Sequence, residues 1–384
     1  MPLAWGAAPF QETYDWLLEA CRSVVLHRSS IAREMIEPMV QPRVGPELTN
    51  AQLLGHLVAE SLMQRVDHRL LEAKNIYLES FDIPQIEFFY QMSVSYPQVS
   101  AAHDLANQYH AHLLADLEEL SLFEIGIGKG AQVVQLLERV ARQHGRLRHV
   151  RVFALDPDAE NLSDAGGWLS RTGERLGIRV TYVPICARLE DLTEDELRAI
   201  RSKSGSATLV VNAAFAFHHT THRVGDDQYR TELLARMGRV LRPRLLTLVE
   251  PNANHDVEHL PTRFDACWRH FGLVFDLIDE SGLPPEVCFS IKEKFFGREI
   301  RDIFGSCDAF RCERHELVDR WLLRLTKAGF SPCEGDVPLE ASMPEYCDAA
   351  VSPGLVRLGY RGRPLIGVMA MQWDPERSRV RGDA

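Results

Sequence analysis

Apolar residues recur at spacings of three and four along the first part of the chain. Tyr14, Leu17, Leu18, Cys21, Val24 and Val25 mark one helical face. Leu53, Leu54, Leu57, Val58, Ser61, Leu62 and Val66 mark another, behind the start signal Thr49-Asn50. Further helices are expected over residues 85–96 and 101–117. Strand signals are scarce in this region, and residues 1–118 are expected to form an N-terminal helical lobe.

The pattern changes at Leu122. LFEIGIGKG is a short apolar strand ending in glycines, and the amphipathic stretch AQVVQLLERVARQHG follows it. VRVFALDPD is a second strand ending in acids, VTYVPI a third, TLVVNAAFAF a fourth and LLTLVEPNA a fifth. Helices are expected between them, over residues 163–176, in LTEDELRAI and in YRTELLARMGRVL. Nearly all-apolar strands alternating with helices predict a parallel sheet covered on both faces. Residues 262–304 read as a helical insertion interrupted at Gly282-Leu283-Pro284-Pro285, and a helix follows over 315–328. Residues 330–339 and 364–373 read as two closing strands, so the core is expected over 119–373. The polar end, 374–384, is expected to be a flexible tail.

Composition narrows the functional classes. The chain has 384 residues with 43 Lys+Arg and 54 Asp+Glu, a formal net charge of −11. That balance argues against nucleic-acid binding through the overall field. No secretory signal is evident at the start, and no apolar run is long enough to span a bilayer. The eight cysteines are scattered without a C-x-x-C pair, as expected of reduced thiols in a cytoplasmic protein.

Glu124, Gly126, Gly128 and Gly130 spell E-x-G-x-G-x-G between a strand and a helix. Glycines allow a tight turn and close backbone approach to a ligand, and the helix start offers N–H groups. Asp156 ends the second strand, where a carboxylate can accept from both ribose hydroxyls. Together they predict a nucleoside-type ligand, and the spacing differs from the G-x-G-x-x-G of dinucleotide binders. Asn212, Phe215, His218 and His219 follow the fourth strand, and Glu250, Asn252, Asn254 and His255 follow the fifth, where ligands of such sheets sit. His218 or His219 could serve as a base, with packing as the alternative for each. Glu250 and Asn252 could equally tie the loop backbone together. Arg298, within GREIRD, could bind an acidic substrate group or engage in mutual salt bridges. His255 and His259 match the spelling H-x-x-E-H, but the prolines at 251 and 261 argue against the helix that zinc ligation needs, and no metal is expected.

This combination resembles class I S-adenosylmethionine-dependent methyltransferases, whose Rossmann-like α/β core has a mostly parallel seven-stranded sheet with a C-terminal antiparallel hairpin. The resemblance implies that Gly126 to Gly130 and Asp156 hold S-adenosyl-L-methionine, with Glu124 and Asn212 beside it. It also implies that Arg188, Leu189 and Glu190 border the adenine. Lys129 departs from the usual small or polar residues of that loop.

A more specific resemblance covers residues 13–373. LLEACRSVV, TLVVNAAFAFHHT, VEPNANHDVEHLPTRFDACWRHFGLVFD, GREIRDIF with ERHELVDRWLLRLTKAGF, and GYRGRPLIGVMAMQW are similar, in order, to blocks of the GRAS family. Plant GRAS proteins are transcriptional regulators. The intact E-I-G-I-G-K-G loop resembles the bacterial branch, which implies a small-molecule methyltransferase. The expectation is therefore S-adenosylmethionine-dependent methyl transfer to a small-molecule acceptor. His218, His219 and Glu250 would be catalytic, and Phe215, Asn252, Asn254 and Arg298 would contact substrate. No nucleic-acid or membrane partner is expected, and a homodimer is compatible with the reading. The alternative is a non-catalytic GRAS-type regulator that binds a small molecule and recruits a protein partner.

Overall fold

The computed structural model describes residues 8–40, 44–69, 76–77, 81–113, 115–143, 146–220, 227–309, 311–333 and 343–375. The expected tail beyond residue 375 and most of the expected strand over 330–339 lie outside them.

Among the described residues five α-helices come first: α1 (Ala8–Val25), α2 (Ser29–Ile36), α3 (Asn50–Val66), α4 (Gln85–Ser95) and α5 (Pro97–Leu113). The alternating region then runs β1 (Glu119–Ile125), α6 (Ala131–Gln143), β2 (His149–Asp156), α7 (Ala159–Leu176) and β3 (Arg179–Cys186). It continues through α8 (Glu194–Ser204), β4 (Thr208–Ala214), α9 (Tyr229–Leu241) and β5 (Leu245–Pro251). After α10 (Leu260–Glu280), α11 (Pro285–Ser290) leads through a π-helical turn (Ile291–Phe296) into α12 (Gly297–Gly305). The chain closes with α13 (Val318–Lys327), β6 (Phe330–Pro332), β7 (Cys347–Ser352), β8 (Leu355–Tyr360) and β9 (Arg363–Trp373).

The chain packs as two units, each assembled from separated stretches. The first comprises Met1–Phe89, Asn252–Glu316 and Tyr360–Leu365, and the second Tyr90–Pro251, Leu317–Gly359 and Ile366–Ala384. This partition departs from the expected boundaries. The segment after β5 joins the first unit, whereas α5 belongs with the sheet, because its Asn107 and His110 side chains bond to the Gln132 carbonyl and to Thr247.

In the first unit the Thr49 start signal becomes a capping box: its hydroxyl accepts from Gln52 N–H, and the Gln52 side chain accepts from Thr49 N–H. Tyr14 stacks on Phe264 at 5.4 Å, and Phe264, Trp268, Phe271 and Phe275 of α10 are fully buried. Fully buried Arg263 donates to the carbonyls of Val257, Glu258 and Ile303 and pairs with Asp308 at 2.8 Å. An ion pair with that many partners offsets the cost of removing a guanidinium from water.

In the second unit nine strands among the described residues form one sheet, in the order β3-β2-β1-β4-β5-β9-β8-β7, with β6 pairing β9. β1 to β5 are parallel, and β9 runs antiparallel to β5. The seven-stranded expectation is corrected by β7 and β8: β7 is almost wholly exposed and lacks the apolar run of a covered strand, whereas β8 is short and mostly buried. On one face Phe123, Ile125, Phe153 and Val211 pack with Leu197 of α8, Leu234 of α9 and Trp321 of α13.

Close packing of α13 on β9 requires a glycine. A Cβ at Gly367 would lie 2.3 Å from Val318 Cγ2. Gly367→Ala is expected to destabilise the protein by about 1–3 kcal/mol, read as a lower denaturation midpoint. Adding Val318→Ala should restore part of that loss, and an unaltered midpoint for Gly367→Ala alone would refute the packing argument.

Candidate small-molecule site

β1 ends in a loop that only glycine accommodates without strain: Gly126, Gly128 and Gly130 have φ of 71°, 50° and 77°. A Cβ at Gly126 would meet that of Ala216 at 2.6 Å. The loop is clamped to the end of β2. Gly126 and Ile127 N–H donate to the Leu155 carbonyl, and Gly128 N–H donates to Asp156 Oδ2 at 2.9 Å. Asp156 Oδ1 accepts from Asp158 N–H at 2.9 Å and from Asn161 Nδ2 at 3.3 Å. Burial raises the Asp156 pKa, and these bonds act in the opposite direction. Oδ1 already accepts twice and Oδ2 once within the protein. Asp156 holds the loop in shape, and any contact with a ligand is left to Oδ2.

Behind the loop, strand register aligns three polar residues. Glu124 on β1 lies opposite Asn212 on β4, and Asn212 lies opposite Thr247 on β5. The Asn212 amide is fully used. Its Nδ2 donates to Glu124 Oε1 at 2.7 Å and to Gln132 Oε1 at 3.1 Å. Its Oδ1 accepts from Thr247 Oγ1 at 2.6 Å and from Gln132 Nε2 at 3.4 Å. His110 Nε2 lies 2.7 Å from Thr247 Oγ1. Burial lowers the pKa of His110, and of His103 nearby in the chain, to about 4, and raises that of Glu124 to about 8. Gln132, Thr247 and His110 were not singled out in the sequence, although a lone threonine inside LLTLVEP was a signal.

After β4, Phe215 takes a left-handed conformation, φ 54°, with its N–H on the Val249 carbonyl and its ring against His103 at 5.7 Å. His218 Nδ1 lies 2.6 Å from Glu250 Oε2, and Glu250 Oε1 accepts from Phe217 N–H at 2.8 Å. Glu250 is fully buried. The His219 ring lies tilted beside that of His218, centroids 3.9 Å apart, and Arg230 donates to the His218 carbonyl. Of the three residues expected to be catalytic, His218 and Glu250 bind each other, Glu250 also holds the turn at Phe217, and His219 lies beside His218.

Other expected contacts resolve differently. Leu189, in the turn Leu189–Asp191, is buried in the core with Leu155 and Leu192. Arg188 is exposed and pairs with Asp191 at 2.8 Å. In the first unit Asn252 donates to the Pro364 carbonyl, and its N–H donates to that of Leu365, which ties down the backbone. Asn254 is half-buried. Arg298 is buried against Phe81 at 3.7 Å, donates to the Ile83 carbonyl and to Gln85, and pairs with Asp82 at 3.2 Å. Its guanidinium is spent within that unit, which argues against a substrate role. His255 is buried with its Nδ1 2.7 Å from His315 Nδ1, whereas His259 is exposed.

The GRAS domain family model matches residues 14–343. The chain belongs to the GRAS domain family. DELLA protein RGL1 of Arabidopsis thaliana is 25% identical over 323 residues, covering 81% of this chain and 60% of that protein. Chitin-inducible gibberellin-responsive protein 2 of Oryza sativa subsp. japonica is 25% identical over 368 residues, covering 91% of this chain and 66% of that protein. The chain thus spans about 60–66% of the length of these relatives. The solved structure of SCL7 from Oryza sativa matches with a TM-score of 0.73 at 18% identity, covering 95% of this chain and all of that one, which supports the fold. The trans-methyltransferase CalH matches with a TM-score of only 0.37 and carries no argument.

These relatives overturn the enzymatic expectation. They are a DELLA protein and a gibberellin-responsive protein, neither named as an enzyme, and methyl transfer to a small molecule is withdrawn as the function. The catalytic roles of His218, His219 and Glu250 are withdrawn with it. Both relatives are plant proteins and lend no support to a bacterial placement.

Glu124 makes stability depend on pH in a defined direction. Its folded pKa, about 8, lies above the ordinary value of 4.5, so the folded state holds the proton more tightly. Its stabilising contribution is present below pH 4.5 and is lost as pH rises to about 8. Glu124→Gln, neutral throughout, should flatten the melting temperature across that window and melt higher than wild type at its alkaline end. Parallel curves for the two proteins would show that Glu124 does not titrate this way.

Proposed function

We propose that this chain is a non-catalytic GRAS-type regulator that binds an adenosyl-bearing small molecule at the glycine loop of its second unit and recruits a protein partner through its helical unit. One observation carries the reading. The glycine loop is held in left-handed conformations by its bonds to Leu155 and Asp156, and the missing side chains leave its backbone open to close approach by a ligand. The non-catalytic part of the reading is supported by the relatives, a DELLA protein and a gibberellin-responsive protein.

The ligand class follows from the strand–glycine loop–helix arrangement, with Asp156 Oδ2 beside Gly128 N–H. S-adenosylmethionine and S-adenosylhomocysteine are the candidates, as ligands rather than reactants. No methyl acceptor forms part of the reading. The individually exposed Trp16, Val25, Leu26 and Ile31 on α1, α2 and the turn between them are the candidate contacts for a protein partner. No helix of the described residues is long and apolar enough to cross a membrane. The eight free cysteines suit a reducing compartment such as the cytoplasm.

Calorimetric titration of the full chain with both adenosyl compounds tests this reading. Binding of both is expected, and Asp156→Ala should weaken it by about tenfold or more, because the loop loses its clamp. Folded protein, freed of co-purified ligand, that binds neither compound would overturn the ligand assignment. Sustained conversion of S-adenosylmethionine to S-adenosylhomocysteine with an acceptor would overturn the non-catalytic one.

A further inference from the structure

At the amino ends of β2 and β3, the far end of the sheet from the glycine loop, hydrogen-bond donors outnumber acceptors. Strand register aligns Glu119, His149 and Arg179 in one row and Ser121, Arg151 and Thr181 in the next. The following row on the same face, Phe123, Phe153 and Val183, belongs to the apolar core. A guanidinium can only donate, so the 3.2 Å contact of Arg179 Nη2 with His149 Nδ1 makes that nitrogen an acceptor. The ring proton is then on His149 Nε2, which donates to Thr181 Oγ1 at 2.8 Å. Burial, and then the charges of Arg179 and Arg151, lower the His149 pKa, in keeping with a neutral ring. The Thr181 hydroxyl proton is left without an acceptor among the described residues.

Arg151, half-buried between Ser121 and Thr181, has no ion pair or hydrogen bond among the described residues. Ser121 Oγ, fully buried at its side, has no partner there either. Glu119, exposed and 3.8 Å from His149 Nδ1, is the acid of the two rows. Arg201 and Lys203, also unpaired among the described residues, lie at the same end, because α8 stops at Ser204 and β4 starts at Thr208. In a chain of net charge −11, such a group of unmet cations marks a site for an anion.

The neighbouring edge indicates what carries that anion. Among the described residues β3 is the last strand of the sheet. Arg179 N–H donates to the Arg148 carbonyl on the β2 side, so by alternation Val180 and Tyr182 turn their N–H and C=O groups outward. Such an edge is a template for one more strand. Pro184 has no N–H and stops the ladder, so the fit is to a short extended segment. Two guanidiniums, Arg151 and Arg179, match the dianion of a phosphate monoester better than a single carboxylate.

We propose that the amino end of β3 docks an extended phosphorylated segment of a protein partner, which adds a strand beside Val180 and Tyr182 and sets its phosphate against Arg151, Arg179 and Thr181. The inference is independent of any ligand at the glycine loop.

The test is fluorescence anisotropy of the full chain with a labelled pool of short peptides, phosphoserine fixed at the centre and the flanking positions degenerate. This pool is expected to bind about tenfold or more tightly than the same pool with serine. Arg151→Gln and Arg179→Gln should each weaken that binding by about tenfold, with melting temperatures near wild type because neither side chain holds an ion pair. Methylating alternate backbone nitrogens of the peptides should weaken it as well, because an added strand needs its N–H groups. Should either variant not fold, the comparison of the two pools on wild-type protein decides alone. Equal binding of the two pools, or binding untouched by both substitutions, overturns the site. Undiminished binding of the methylated pool overturns strand addition. An oligonucleotide that displaces the phosphorylated pool and binds more tightly overturns the peptide as occupant.

Discussion

A side-chain amide in the middle of a parallel sheet has no access to water, so all four of its hydrogen-bonding positions must be met by protein. Asn212 is that amide, and much of the second unit is arranged around it. β1 supplies Glu124, β5 supplies Thr247 and α6 supplies Gln132. Through Thr247 the requirement extends to His110, and α5 is held against the sheet. Asn107 adds a bond from the same helix to the Gln132 carbonyl, at the first turn of α6. Strand order, the placement of two helices and the position of the glycine loop are thus coupled through one residue. An unmet amide here would be costly, and a half-satisfied network more so than an apolar core.

The opposite face follows a different rule. Phe123, Phe153, Val211 and Leu248 meet α8, α9 and α13 through apolar contact alone, with Trp321 and Phe217 in edge-to-face contact at 5.9 Å. The sheet therefore has a mainly apolar face and a face with a polar seam. The seam lies behind the loop that the fold offers to a ligand. Its titratable members are driven by burial toward their neutral forms, the histidines downward and Glu124 upward.

The first unit solves the burial of charge in another way. Arg263, Arg311 and Arg314 are buried but surrounded by carbonyls and by Asp256 and Asp308. Arg298 stacks on Phe81 and shares Asp82 with Lys294. These guanidiniums join stretches far apart in sequence. This explains why GREIRD, which reads as a solvated or ligand-facing cluster, is largely structural. The same logic applies to Glu250: an acid beside a histidine reads as catalytic, yet it anchors the turn that carries that histidine.

Local periodicity was sufficient for much of this protein. The helical faces of α1 and α3, the βα alternation from Leu122, the glycine loop with its acid on β2, and the kinship carried by ordered sequence blocks were all legible along the chain. These features depend on neighbours within a few residues. The weakly patterned β7 and β8, the division into two discontinuous units, and the partners of Asn212, Glu250 and Arg298 were not legible. Whether a polar side chain binds a ligand or another part of the protein depends on what stands opposite it. In a parallel sheet that is set by register between strands that lie far apart in sequence. The spacing of residues carries no record of that register, so only the tertiary structure decided which of the conspicuous residues were already engaged.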